Sequence, residues 1–110
     1  ETMAGKRLVL CEPPSILALH IVRFHTHKAK IDTPVTIQEC FKLDVYVEGE
    51  GSKKAVYKLA GIIEHLGTSI TSGHYVSYLR SIDGKGWLRF DDSSVSPVTQ
   101  LTEQPYLLYY

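Results

Sequence analysis

The sequence predicts a mainly β domain organised around an antiparallel sheet. Apolar residues recur at the alternating spacing of strands, and several of these runs end in glycine-containing turns of the kind that close hairpins. No segment has the 3.6-residue apolar period of a helix, and no internal repeat occurs. The 110 residues suffice for one domain or part of one, in which we expect about six strands.

Charge and cysteine content exclude several classes of protein. Lysine and arginine equal aspartate and glutamate at 12 each, so the basic excess of a general nucleic-acid binder is missing. There is no apolar run long enough to span a bilayer and no signal-peptide pattern. The two cysteines, Cys11 and Cys40, form no CxxC pair, so we expect no zinc site, no cofactor and a cytosolic or nuclear location.

The first quarter of the chain contains one long apolar run. Residues 8–10 could form a short strand, which Pro13 and Pro14 would end because proline cannot donate to a sheet ladder. Residues 15–24 (SILALHIVRF) are apolar on both alternating faces, which predicts a strand buried on both sides. Within it, His20 is interpreted as a core histidine that donates to a backbone carbonyl.

The middle of the chain alternates loops and strands. Residues 25–34 (HTHKAKIDTP) lack a period and predict a loop, in which His25 and His27 have no third metal ligand nearby and are expected to be exposed. Strand signals follow at 35–37 and 41–47, then a polar turn at 48–54 and a long strand at 55–65. Gly61 inside that strand indicates a bulge or a close backbone approach.

The last third carries the clearest hairpin. Residues 66–73 (LGTSITSG) form a loop of small residues, and residues 74–82 alternate as a strand should. The Asp-Gly pair within 83–86 predicts a tight turn, with residues 87–91 as the return strand. Two further short strands are expected at 95–98 and 105–110.

This hairpin brings a histidine and a carboxylate to the same end of the sheet. His74 begins one strand and Asp91 ends the other, and a carboxylate can orient an imidazole that acts as a base. Such pairs are more often structural than catalytic. The chain also lacks an evident nucleophile, because Ser72 is too close in sequence to His74 and neither cysteine lies at a helix N-terminus.

Several motifs in order resemble the C-terminal part of a ubiquitin-specific protease catalytic domain. They are PPSILALHIVRF (13–24), FKLDVYV (41–47), YKLAGIIEHLGTSITSGHYVSYLR (57–80), WLRFDDSSVSPV (87–98) and PYLLYY (105–110). One position departs from the family pattern, since Lys42 stands where proline is usual. The resemblance covers nearly all of residues 12–110.

The resemblance implies a fold, a reaction and a set of site residues. The family has a papain-like cysteine protease fold, and residues 1–110 would be its antiparallel palm sheet. His74 would be the general base, Asp91 would orient it, and Asp92 would support the site. The channel for the ubiquitin tail would be bordered by His65, Gly67, Thr68, Ser69, Ser72, Gly73 and Tyr75. An equally good interpretation of His65 is a histidine packed against the sheet.

The family's N-terminal cysteine box is missing from these 110 residues, as are its zinc-binding CxxC pairs. We therefore expect a deubiquitinase whose cysteine comes from a companion chain or an N-terminal segment, with ubiquitin and ubiquitinated proteins as partners. The alternatives are an inactive ubiquitin-binding or scaffold module and, less compatible with the motifs, an unrelated small β-domain.

Overall fold

A computed structural model describes residues 4–5, 10–25 and 29–110, which form eight strands and no helix. No helix among these residues therefore has the length and apolarity to cross a membrane. The strands are β1 (Ala18–His20), β2 (Cys40–Val47), β3 (Gly51–Lys58), β4 (Gly61–Leu66), β5 (His74–Arg80), β6 (Trp87–Asp91), β7 (Ser94–Val98) and β8 (Pro105–Tyr109).

The strands form two antiparallel sheets. Six of them have the order β1-β8-β4-β5-β6-β7, and β2 pairs with β3 as a separate hairpin. The prediction of a mainly β, antiparallel domain is confirmed. Eight strands form where about six were expected, and one of the additional strands arises because one predicted strand is divided between the two sheets.

The core lies between the β2–β3 hairpin and one face of the larger sheet. The ring of Phe41 on β2 meets Tyr110 edge-on, 4.6 Å between centroids, and the Tyr57 hydroxyl donates to the Pro14 carbonyl. The buried residues of this core come from β3 to β6 and the C-terminal strand: Tyr57, Leu59, Ile62, Val76, Tyr78, Trp87, Leu108 and Tyr110. Burial of these side chains is the main force that holds the two sheets together.

The single strand predicted at 55–65 is wrong, because the chain changes sheets at Leu59 and Ala60. The Leu59 amide donates to the carbonyl of Glu39, beside β2, whereas the Ala60 amide donates to that of Tyr109 on β8. Gly61, the first residue of β4, makes the close approach expected of it, since a Cβ there would lie 3.1 Å from Leu79 Cδ2. Alternation of apolar residues alone could not locate this crossing.

The predicted burial of residues 15–24 is also wrong. Only β1 is a strand there, and it lies at the sheet edge, paired with β8 alone. Ile16 and Val22 are 72% and 64% exposed, because no layer of the described chain covers them. His20 is exposed rather than in the core, with its ring edge-on to that of Tyr106.

Two other predicted strands differ from the structure. Leu8 and Val9 lie outside the described residues, and Leu10 makes an isolated parallel bridge to Val45. Residues 35–37 form no strand, although the Val35 amide donates to the Glu103 carbonyl. A single hydrogen bond to a loop does not make a β-ladder, so this segment stays irregular although Ile37 packs against the core.

The β5–β6 hairpin forms as predicted. Its turn is closed by a Ser81 amide that donates to the Gly86 carbonyl, and Asp83 Oδ1 accepts from the Lys85 amide at 3.0 Å. Gly84 has a φ of 72°, which glycine adopts without the steric cost that a Cβ would impose. This turn sets the register that places the beginning of β5 beside the end of β6.

Candidate functional site

The hairpin register brings His74 and Asp91 together. Ser77 lies opposite Phe90, so the next pair along the same register is Val76 and Asp91. His74 is two residues before Val76 and therefore shares its face of the sheet. The sequence-based placement of the histidine and the carboxylate at one end of the hairpin thus agrees with the structure.

The two side chains are directly hydrogen-bonded. His74 Nε2 lies 2.5 Å from Asp91 Oδ1, and Asp92 Oδ2 is 4.0 Å from the same nitrogen. With Nε2–H donating to Asp91, the imidazole presents Nδ1 as its free nitrogen. The side chains of His74 and Asp91 are 43% and 34% exposed, so the pair is open to a reacting group from outside the described chain.

A third charged residue, Arg89, contacts the other side of the carboxylate. Its Nη1 lies 3.5 Å from Asp91 Oδ2. Sequence reasoning missed this residue, although the two-residue spacing within β6 places Arg89 and Asp91 on one face. The contact is long and partly exposed, so it contributes orientation and charge more than stability.

The hydrogen bond shifts the pKa of both partners in opposite directions. The bond to Asp91 raises the pKa of His74 above its ordinary 6.5, assisted by the charges of Asp91 and Asp92 and opposed by partial desolvation and Arg89. The bond to His74 lowers the pKa of Asp91 below 3.8. The pair therefore favours an imidazolium beside a carboxylate.

We expect the pH dependence of the pair to reveal this coupling. Because the folded-state pKa of His74 is raised, its contribution to stability is complete below pH 6.5 and is lost as the pH rises through the raised pKa. The contribution of Asp91 is present above pH 3.8 and is lost as the pH falls through its lowered pKa. An NMR titration of the histidines in the full-length protein should place the His74 pKa above 6.5. In Asp91→Asn it should return towards 6.5, and an unchanged value would contradict the assigned hydrogen bond.

Asp92 has a backbone conformation that few side chains adopt. Its φ is 52°, in the left-handed region, where aspartate is among the better tolerated residues. This conformation begins the turn into β7, and the Asp92 side chain remains 83% exposed. Asp92 is therefore a more distant and more solvated neighbour of His74 than Asp91.

The loop between β4 and β5 borders the pair. Gly67, Thr68, Ser72 and Gly73 are exposed, Ser69 is half-buried, and Tyr75 on β5 is 49% exposed. The Ser69 hydroxyl accepts a hydrogen bond from the Thr71 amide at 3.2 Å. Apart from His65, the predicted channel residues are thus exposed or half-buried, in the loop that leads into His74 and at Tyr75, which follows it.

His65 is the exception, because its ring is buried. It is 2% exposed and is packed by the rings of Phe24 and Tyr75, with centroid distances of 5.2 and 5.0 Å. Lys30 Nζ donates to the His65 carbonyl at 2.6 Å, a contact across 35 residues that no sequence pattern indicates. The ring of His65 packs against the sheet, as the second interpretation of this residue expected.

Three side chains are close enough to hold a metal ion. One donor atom each from His74, Asp91 and Asp92 lies within 4.8 Å of the others. The Nε2 and Oδ1 atoms, however, are already hydrogen-bonded to one another, and a metal would have to replace that bond. The arrangement is that of a hydrogen-bonded histidine–carboxylate pair. His25 is exposed, as expected of it, and His27 lies outside the described residues.

Neither cysteine lies with this pair. Cys40 begins β2 and follows Glu39, whose carboxylate accepts a hydrogen bond from the Trp87 indole and contacts Arg80. Arg80 is at the opposite end of β5 from His74, roughly 20 Å away at about 3.3 Å per residue. Cys11 follows Leu10, which is bonded to β2.

A cleft of about 420 Å³ lies away from the histidine and the carboxylates. It is lined by residues 34–37, Glu39, Trp87 and 99–103, beside the first residue of β6. Asp91 ends the same strand. The cleft is therefore separate from the His74–Asp91 pair, whose side chains are partly exposed at the surface.

Comparison with known proteins gives one family. The sequence model of the family described as "Ubiquitin carboxyl-terminal hydrolase" matches residues 2–110. A curated relative, "Ubiquitin carboxyl-terminal hydrolase 23" of Arabidopsis thaliana, is 32% identical over 114 residues, covering 100% of this chain and 13% of that protein. The "Probable ubiquitin carboxyl-terminal hydrolase 16" of Schizosaccharomyces pombe is 34% identical over 113 residues, covering 97% of this chain and 24% of that protein. The chain spans less than two thirds of either relative.

Solved structures give the same result for the fold. A structure of the yeast SAGA DUB module with an Sgf73 variant has a TM-score of 0.73 and 34% identity, covering 88% of this chain and 23% of that one. The Ubp8–Sgf11–Sgf73–Sus1 SAGA DUB module has a TM-score of 0.73 and 30% identity, covering 91% and 24%. Both contain the arrangement of strands found here as part of a larger chain.

Proposed function

This chain belongs to the ubiquitin carboxyl-terminal hydrolase family, and on that premise we propose that it supplies the base and the orienting acid of a cysteine-type deubiquitinase. The observation that carries the proposal is the 2.5 Å hydrogen bond between His74 and Asp91, on an open surface beside a loop of small residues. The family match makes the catalytic interpretation of this pair much better supported than the structural one.

The chemistry requires a thiol that approaches His74 Nδ1. The imidazole accepts the thiol proton, and the thiolate sulfur attacks the carbonyl carbon of the ubiquitin C-terminal glycine. The C–N bond to the substrate lysine breaks as the imidazolium donates its proton to the leaving amine. Water then hydrolyses the thioester, with His74 as the base again, which releases ubiquitin and restores the thiol.

Asp91 makes His74 suitable for this work. By accepting from Nε2–H it holds the tautomer in which Nδ1 is the free nitrogen, and it stabilises the imidazolium that forms in each step. The raised pKa of His74 has the same cause. Asp92, 4.0 Å from Nε2, adds negative charge but no hydrogen bond.

The loop between β4 and β5 is proposed to border the path of the ubiquitin tail. A C-terminal tail is an extended peptide, so it needs backbone groups and small side chains along its course. The exposed Gly67, Thr68, Ser72 and Gly73, together with Ser69 and Tyr75, meet that need. Since the His65 ring is buried, its contribution to the channel would be made from beneath the loop.

The nucleophile is proposed to come from a cysteine other than Cys11 and Cys40, in a further segment or a companion chain. Both thiols are exposed, and neither lies beside His74. Companion chains are compatible with the family, because the similar structures are modules in which Ubp8 is combined with Sgf11, Sgf73 and Sus1.

A labelling experiment tests the proposal. The full-length protein is incubated with ubiquitin that carries an electrophile at its C-terminus, and the adduct is mapped by peptide mass spectrometry. We expect one adduct, on a cysteine other than Cys11 and Cys40, and its loss when His74 is alanine. A Cys11→Ala, Cys40→Ala variant is the control and should label as the wild type does.

Two results would contradict the proposal. Binding of ubiquitin without any adduct would favour the inactive binding or scaffold module. An adduct on Cys11 or Cys40 would show that the nucleophile had been assigned wrongly.

A further inference from the structure

We propose that His65 is a positioning residue, whose buried ring supports Gly73 from beneath and so fixes where His74 enters β5. The inference deepens the proposed function and rests on it, since it takes His74 to be the catalytic base. It assigns to His65 an action through the loop instead of direct contact with the ubiquitin tail.

The ring is enclosed by aromatic side chains from three segments of the chain. Phe24 meets it edge-on at 86°, Tyr75 at 67°, and the ring of Tyr106 lies 6.1 Å away. A side chain that is 2% exposed and held on several sides has little freedom to move. The position of the ring therefore constrains the residues that contact its remaining edge.

The remaining edge faces the two glycines at the ends of the loop. A Cβ on Gly73 would lie 2.9 Å from His65 Cε1 and 2.6 Å from the Leu66 carbonyl oxygen, too close for any side chain. A Cβ on Gly67 would lie 3.7 Å from the same His65 carbon and 3.0 Å from Gly73 Cα. Backbone and ring are thus in direct contact at the point where the loop closes.

That contact is one peptide unit from the base. Gly73 directly precedes His74, and His74 is paired with Leu66, the residue that follows His65 on β4. A displacement of Gly73 moves the start of β5, on which the 2.5 Å bond to Asp91 depends. Catalytic geometry is sensitive to such shifts, and a misplacement of about 1 Å can cost about a hundredfold in rate.

Both ring nitrogens lack a hydrogen-bond partner among the described residues. Nδ1 and Nε2 of His65 are buried, and the Ser69 backbone is the one group acting on the ring as an acceptor, with the smallest of the three influences on its pKa. A buried polar group without a partner is costly and is seldom retained for stability alone. Space filling by itself would favour an apolar ring at this position.

The surroundings keep this ring neutral. Burial is the largest influence that lowers the pKa of His65, and the charge of Lys30 lowers it further, while the Ser69 backbone opposes both. Lys30 is held by its hydrogen bond to the His65 carbonyl. Among the described residues, the other titratable side chains that face the ring are the phenols of Tyr75 and Tyr106.

The first test is the kinetics of His65 variants in the full-length protein, with a fluorogenic ubiquitin C-terminal amide as substrate. We expect His65→Ala to lower kcat by about tenfold or more while KM and the Kd for ubiquitin change by less than about threefold. His65→Phe, which keeps an uncharged flat ring, should recover most of the rate. His20→Ala is the matched control, since His20 also contacts Tyr106 but is exposed and away from the loop.

The second test does not require turnover. In an NMR titration, His65→Ala should return the raised pKa of His74 towards 6.5, because the bond to Asp91 loosens, and His65→Phe should keep it raised. Gly73→Ala should have the same effect as His65→Ala. In the double variant His65→Ala, Gly73→Ala, the pKa of His74 should fall by less than the sum of the two single changes, because both changes disrupt one contact.

The results separate this inference from the proposed function. If the wild type turns over substrate but His65→Ala changes KM alone and leaves the His74 titration unaltered, His65 contacts the tail and the inference is wrong. If the wild type has no activity, the proposed function fails, and the His74 titration still decides whether His65 positions that residue. Should His65→Ala not fold, His65→Leu is measured in its place with the same criteria.

Discussion

Replacing His74 with alanine is expected to lower kcat by a factor of about 10³ or more and to change the Kd for ubiquitin by less than about threefold. The imidazole is the one group bonded to Asp91 Oδ1 that can take a proton from a thiol and return it to the leaving amine. Its side chain is only partly exposed at the surface, so its removal takes away little area that could hold ubiquitin. The measurement is steady-state hydrolysis of a ubiquitin C-terminal amide, together with a binding titration on the same preparation.

The control for this prediction is His20→Ala, which removes an exposed histidine at the sheet edge. It should leave both kcat and Kd unchanged. If His74→Ala weakened binding by the same factor as it lowered the rate, the residue would hold substrate without acting as the base. Retention of the rate in His74→Ala would remove the basis of the proposed mechanism.

Changing Asp91 to asparagine is expected to lower kcat by about 10² to 10⁴, with the fold and ubiquitin binding retained. An amide can present its NH₂ group to Nε2, which favours the tautomer whose proton is on Nδ1, the nitrogen that must stay free. The stabilisation of the imidazolium is lost as well, so the raised pKa of His74 should fall in the same variant. Both effects can be measured on one sample, by kinetics and by titration.

Asp92→Asn is the matched control, because it makes the same chemical change one residue away. Asp92 Oδ2 is 4.0 Å from Nε2 and its side chain is 83% exposed, so we expect a loss of less than about tenfold. An equal or larger loss in Asp92→Asn than in Asp91→Asn would exchange the roles of the two carboxylates.

Local sequence signals were sufficient for the hairpin that carries the pair. The Asp83-Gly84 turn sets a two-strand register, and that register alone places Asp91 on the face of His74. The run of small residues at 66–73 likewise indicated the loop between β4 and β5. These features depend on residues within about 20 positions of one another, where chain geometry leaves few alternatives.

Other features were decided by contacts between distant parts of the chain. Residues 55–65 were predicted as one strand, yet they divide between two sheets because the Leu59 amide bonds beside β2 and the Ala60 amide bonds to β8. Residues 15–24 have the composition of a buried strand, but burial depends on whether another layer covers them. No such layer is present among the described residues.

His65 shows most clearly which properties depend on the local sequence and which depend on contacts between distant residues. The sequence by itself determined that a histidine precedes a glycine-bounded loop and a second histidine, and so that both lie near one end of the sheet. Only the tertiary structure decided which of them is open to a reacting group. Phe24 and Lys30 come from 35 or more residues away to enclose His65, whereas the His74 side chain remains 43% exposed. Burial and pKa depend on such enclosure, and no local pattern encodes it.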